Sequence, residues 1–153
     1  MAKTILLIED DIALRDIYQE RFKAEGFMVQ VATDGEEALN LAMKERPEII
    51  LLDIMLPKIS GFDVLDILRN TPETKGIRII VLSALSQSTD VKRGKFLGAD
   101  LYLVKSQVTL SEVIEEVKKM LEAAPERTPE EKAPTAAERP AVVKKSDKKT
   151  KKK

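Results

Sequence analysis

Apolar positions recur along this chain in two alternating rhythms. Five short runs, "TILLIE" (4–9), "FMVQVA" (27–32), "IILLD" (49–53), "IRIIVLS" (77–83) and "LYLV" (101–104), are nearly continuous and bounded by polar residues. That is the pattern of strands buried on both faces of a parallel sheet. Between the runs, apolar residues fall three or four apart, as on one face of a helix. The first such stretch holds Ile12, Leu14, Ile17, Tyr18 and Phe22, the second Ala38, Leu39, Ala42 and Met43, and the third Val64, Leu65, Ile67 and Leu68. A weaker, more polar fourth holds Val91, Lys95 and Phe96, and a fifth holds Leu110, Val113, Ile114, Val117 and Leu121. Gly26 and Gly98 stand where helices should stop, and Asp34 and Thr109 where N-caps belong. Strict strand–helix alternation predicts an α/β domain, a doubly wound parallel sheet with helices on both faces.

Past Leu121 the rhythm stops. Residues 123–153 contain four prolines and almost no large apolar residue, so they bury too little surface to offset the entropy of ordering. The reading is a domain over 1–122 and a disordered tail over 123–153. The formal net charge of +0 hides an asymmetry: 1–122 carries 16 basic and 21 acidic residues, and the tail 10 and 5. Its end, "KKSDKKTKKK", suits weak, non-specific contact with polyanions, or simple solubility. The chain has no cysteine and no histidine, which removes disulfides, thiolate or imidazole zinc sites, and Ser-His-Asp catalysis. No apolar run is long enough for a signal peptide or a membrane span, so the expectation is a cytoplasmic protein.

In a doubly wound sheet, ligands bind at the carboxyl ends of the strands. Strand one ends in Glu9, Asp10 and Asp11, strand three in Asp53 and strand four in Ser83, while Lys105 follows strand five. Were strands one and three neighbours, Glu9, Asp10 and Asp53 would crowd together. Two carboxylates about 4 Å apart repel by roughly 4 kcal/mol at an effective dielectric near 20, so the cluster calls for a cation. Oxygen ligands of this kind suit Mg²⁺. An acid beside such a metal suits phosphoryl transfer, with Asp53 as nucleophile and Lys105 and Ser83 contacting phosphate oxygens. Each residue also has a plainer reading: Asp11 as a helix cap, Asp53 as a turn former, Lys105 as a solvated charge and Tyr102 as sheet cover.

Taken together, the acid pair Glu9–Asp10, "LLDIMLPKISGFD" around Asp53, "VLSA" around Ser83 and "GADLYLVKS" around Tyr102 and Lys105 resemble the receiver domain of two-component response regulators. The resemblance covers 3–122, about four-fifths of the chain. It implies five βα units with strand order 2-1-3-4-5 and a switch phosphorylated on Asp53, which catalyses only its own phosphorylation and dephosphorylation. Asp10 would bind Mg²⁺ directly, Glu9 through water, and Asp53 and the Met55 carbonyl would complete the ligands. Ser83 and Tyr102 would form the switch pair, and the fourth helix, fifth strand and fifth helix the output surface. The phosphodonor would be a separate histidine kinase or phosphotransfer protein, since this chain has no histidine.

Two positions depart from the family pattern. Ser106 follows Lys105 where the family usually has proline, often in a cis peptide, so either a costly non-prolyl cis bond is kept or the loop is rebuilt as trans. Met55 and Leu85 are both apolar at positions that, in this family, influence how fast water removes the phosphate, which implies slow autodephosphorylation. Two other classes compete. A haloacid-dehalogenase-type phosphohydrolase would want a second aspartate where Met55 stands, and a nucleotide-binding module would want a glycine-rich loop after strand one.

Overall fold

Residues 2–123 are described by the computed structural model, in which the five strands and five helices predicted from periodicity all form. They are β1 (Thr4–Ile8), α1 (Ile12–Ala24), β2 (Met28–Ala32), α2 (Gly35–Glu45), β3 (Ile49–Leu52), α3 (Gly61–Arg69), β4 (Arg78–Ser83), α4 (Ser88–Phe96), β5 (Leu101–Val104) and α5 (Leu110–Ala123). A short 3-10 turn, Lys105–Gln107, links β5 to α5. The sheet is parallel with order β2-β1-β3-β4-β5. Helix α5 runs one residue past the expected domain end at 122. The expectations for the tail, its disorder and its polyanion contact, lie outside the described residues.

The central strands are apolar at nearly every position because both of their faces are covered. Ile5 and Leu7 of β1 point to a layer with Tyr18 and Phe22 of α1 and Val113, Ile114 and Val117 of α5. Leu6 and Ile8 point the other way, to Ala38 and Ala42 of α2 and Val64, Leu65 and Leu68 of α3. Each Ile or Leu side chain buried this fully contributes roughly 1.5–3 kcal/mol. Helix α4 differs, since Gly94 is its one buried residue, which accounts for its weak apolar periodicity.

β1 and β3 end one residue before the runs read from the sequence, at Ile8 and Leu52, so Glu9 and Asp53 stand at the sheet's carboxyl edge. The predicted stops hold: Gly26 (φ 96°) and Gly98 (φ 116°) adopt the left-handed backbone that L side chains avoid. Asp34 accepts the Glu37 amide at 2.8 Å. Thr109 and Glu112 exchange bonds, Glu112 N–H to Thr109 Oγ1 at 3.1 Å and Thr109 N–H to Glu112 Oε1 at 2.8 Å, a reciprocal capping box. Asp11 caps α1 by accepting the Leu14 amide at 3.0 Å, so its plainer reading is correct. No described helix is long and apolar enough to cross a membrane.

Candidate functional site

Strands β1 and β3 pair in register, Ile8 opposite Leu52, so the residues that follow them, Glu9 and Asp53, must lie side by side. The Asp53 amide donates to the Ile8 carbonyl at 3.1 Å and locks this alignment. Glu9 (3% exposed) and Asp53 (5%) are buried, and Asp10 is exposed. Carboxylate oxygens of all three lie within 4.8 Å of one another. Asp53 Oδ1 also accepts the Met55 amide at 3.2 Å, and Glu9 Oε2 accepts the Asp11 amide at 3.1 Å.

Among the described residues, Lys105 supplies a cation to the cluster. Lys105 Nζ lies 2.9 Å from Glu9 Oε1 and 3.1 Å from Asp53 Oδ2. The sequence pointed Lys105 only at phosphate oxygens; its direct pairing with Glu9 needed the folded geometry. Burial pushes the Glu9 carboxyl above its ordinary value of 4.5, an effect the Lys105 hydrogen bond reduces and the Asp53 charge reinforces. For Lys105, burial acts downward, but the Glu9 and Asp53 carboxylates outweigh it and raise the ammonium above 10.5. Among the described residues no peptide bond is cis. The loop after Lys105 is therefore the trans alternative, closed as a 3-10 turn, and Lys105 still reaches both acids.

Ser83 ends β4 fully buried, and its Oγ accepts the Leu85 amide at 3.1 Å. Tyr102 Oη donates to the Leu85 carbonyl at 2.9 Å. The Tyr102 ring packs inward within the α2–α3–α4 layer. One backbone residue, Leu85, therefore contacts both members of the expected switch pair. The acid cluster fits a hard divalent cation. Three carboxylates face one ammonium, and the exposed Asp10 opens the cluster to solvent.

Some contributors carry no signal in the sequence. Arg69 ends α3 and would be read as a solvated last-turn charge, yet its side chain is fully buried. Its Nε donates to the Gly98 carbonyl at 2.8 Å, its Nη1 to the Ile77 carbonyl at 2.6 Å, and its Nη2 pairs with Asp100 Oδ2 at 3.0 Å. This network ties the end of α3 to the α4–β5 corner. Gly61 lies against the Asp53 carbonyl oxygen and Ile54 Cα, too close for any side chain. Lys58 (φ 71°) pairs with Asp34 and Glu36 at 3.5 and 3.4 Å, fastening the β3–α3 loop to α2.

A five-stranded 2-1-3-4-5 sheet with three acids, a lysine and a hydroxyl at its carboxyl edge is the arrangement of a receiver domain. The family model "Response regulator receiver domain" matches residues 5–118, and the chain belongs to that family. This membership decides against the phosphohydrolase and nucleotide-binding alternatives. The chain is 42% identical over 101 residues to the "DNA-binding dual master transcriptional regulator RpaA" of Synechocystis sp., covering 66% of this chain and 42% of that protein. It spans about two-fifths of the length of the curated relatives it matches. Among solved structures, a CheY-like receiver domain protein from Methanospirillum hungatei superposes with a TM-score of 0.75 at 26% identity, covering 80% of this chain and 96% of that one. The phosphorylated cyanobacterial phytochrome response regulator RcpA gives 0.72 at 28% identity, covering 82% and 98%.

Proposed function

We propose that Asp53 is the phosphoacceptor of a two-component signalling switch and that Glu9, Asp10, Ser83 and Lys105 serve its reaction. The observation that carries this reading is the buried Asp53 carboxylate at the end of β3, 3.1 Å from Lys105 Nζ and clustered with Glu9 and Asp10. An Asp53 oxygen attacks the phosphorus of a phosphohistidine outside these 153 residues; the new P–O bond forms as the P–N bond breaks, and the departing imidazole nitrogen takes a proton. Lys105 is held within reach to pair with a phosphoryl oxygen, and the Ser83 hydroxyl donates to another after leaving the Leu85 amide. Mg²⁺, held by Asp10, Asp53, the Met55 carbonyl and, through water, Glu9, would neutralise charge on the transferring phosphoryl group.

The phosphorylated form of RcpA supports this reading by likeness. The chain therefore acts as a signalling protein whose only chemistry is on itself. Its output surface is α4, β5 and α5, and its phosphodonor a histidine kinase or phosphotransfer protein. Met55 is exposed and Leu85 offers only a hydrocarbon side chain, so neither orients a hydrolytic water and the phosphoryl group is long-lived.

Acetyl phosphate with Mg²⁺ tests the assignment. Intact-mass measurement should show one base-labile phosphoryl group on the unmodified sequence and none on Asp53→Asn. Equal labelling of the two would overturn it.

A further inference from the structure

Helix α4 lies on the core through Gly94 and the half-buried Val91. Of its nine residues only Gly94 is buried, and the atoms facing it belong to the ring of Tyr102 on β5. A Cβ placed on Gly94 would stand 2.7 Å from Tyr102 Cδ2 and 2.9 Å from Cε2, closer than packed carbons approach. Backbone conformation does not require this glycine, since it lies inside an ordinary helix and has no positive φ. Glycine at such a position costs stability relative to alanine. The space is what the ring uses. With the ring in that space, its hydroxyl reaches the Leu85 carbonyl, and the Leu85 amide in turn binds Ser83 Oγ.

We propose that Gly94 is the seat of Tyr102, a positioning residue that lets the ring take its inward place and through which α4 registers where the ring is. Any side chain at position 94 drives the ring out of this place, breaks its bond to Leu85 and removes its close contact with α4. The volume at 94 thus sets the balance between inward and outward Tyr102. This inference rests on the proposed role of Ser83 and Tyr102 as a switch pair.

Its test is a double-mutant cycle in urea, without phosphodonor or metal. In a Tyr102→Ala background the seat is empty, and Gly94→Ala should raise the folded-to-unfolded ratio roughly fivefold, the ordinary gain of alanine over glycine in a helix. With Tyr102 present, the same change should give no gain or a loss. Fluorotyrosine labelling adds a reading that helix stability alone does not move. The chain has two tyrosines, and Tyr18→Phe assigns the signals. The Tyr102 resonance should shift in Gly94→Ala toward its position in the unfolded chain. Equal stabilisation in both backgrounds with an unmoved resonance would overturn the proposal. That result would leave Asp53 labelling intact, whereas failed labelling with a positive cycle would leave the seat standing and remove only its signalling meaning.

Discussion

Replacing Lys105 with methionine keeps the hydrocarbon stem and removes the charge, which isolates what the ammonium does among the acids. Its nitrogen lies 2.9 Å from Glu9 and 3.1 Å from Asp53, so each attraction is about 5–6 kcal/mol before solvation at an effective dielectric near 20. Desolvating three charges offsets much of that. What the substitution exposes is the remaining imbalance, two buried carboxylates with no counter-charge, and breaking such a pair costs about 3–5 kcal/mol. Lys105 keeps 23% of its side-chain exposure, which places the expected loss near the lower end, about 3 kcal/mol in the presence of a chelator. Saturating Mg²⁺ should then narrow the gap by RT times the logarithm of the ratio of the two dissociation constants, about 1.4 kcal/mol for each tenfold tighter binding by the variant. The variant should bind Mg²⁺ more tightly than the parent, because no ammonium competes for the same oxygens. Urea unfolding with EDTA and with saturating Mg²⁺, beside calorimetric Mg²⁺ titration, measures all three quantities. Lys58→Met is the control, as its ion pairs are exposed and should matter little. A Lys105 effect of the same size with and without Mg²⁺, or no effect at all, would refute the electrostatic account of this cluster.

Gly61→Ala should destabilise by about 1–3 kcal/mol and slow labelling of Asp53, because the new methyl group meets Asp53 and Ile54 backbone atoms that cannot step aside; urea midpoints and mass-based labelling rates read both effects. Arg69→Leu should cost about 3–5 kcal/mol by removing the buried guanidinium that pairs with Asp100 and donates to the Gly98 and Ile77 carbonyls, with amide exchange accelerated first at the α4–β5 corner. At alkaline pH, stability should hold up to about 10 and then fall. Tyr102 and Tyr18 are raised above 10.0 by burial, and Lys105 is raised above 10.5 by its two carboxylates, so the folded chain keeps protons that the unfolded chain releases. Urea midpoints across that range should fall less steeply in Tyr102→Phe, and an unchanged slope would remove the tyrosine contribution.

The order of elements, both core layers and the strand-end positions of Glu9, Asp10, Asp53 and Ser83 were legible in the chain. They follow from local periodicity: strands covered on both faces must be apolar throughout, and the first polar residue past such a run must emerge at the sheet's edge. Caps at Asp34 and Thr109 and stops at Gly26 and Gly98 are equally local, since each answers to the backbone groups of its own helix. Tertiary structure alone decided the rest. Nothing near Arg69 distinguishes a buried clamp from a solvated charge, because its partners at Gly98 and Asp100 lie about thirty residues away and meet it only after α4 closes over the sheet. Lys105 could be placed beside the acids from strand order, but its sharing between Glu9 and Asp53, and the trans turn that carries it there, depend on distances no spacing encodes. Gly94 is the extreme case. As a helix-interior glycine it looks like a weakness, and its meaning appears only when the Tyr102 ring from another element fills the space a side chain would have taken.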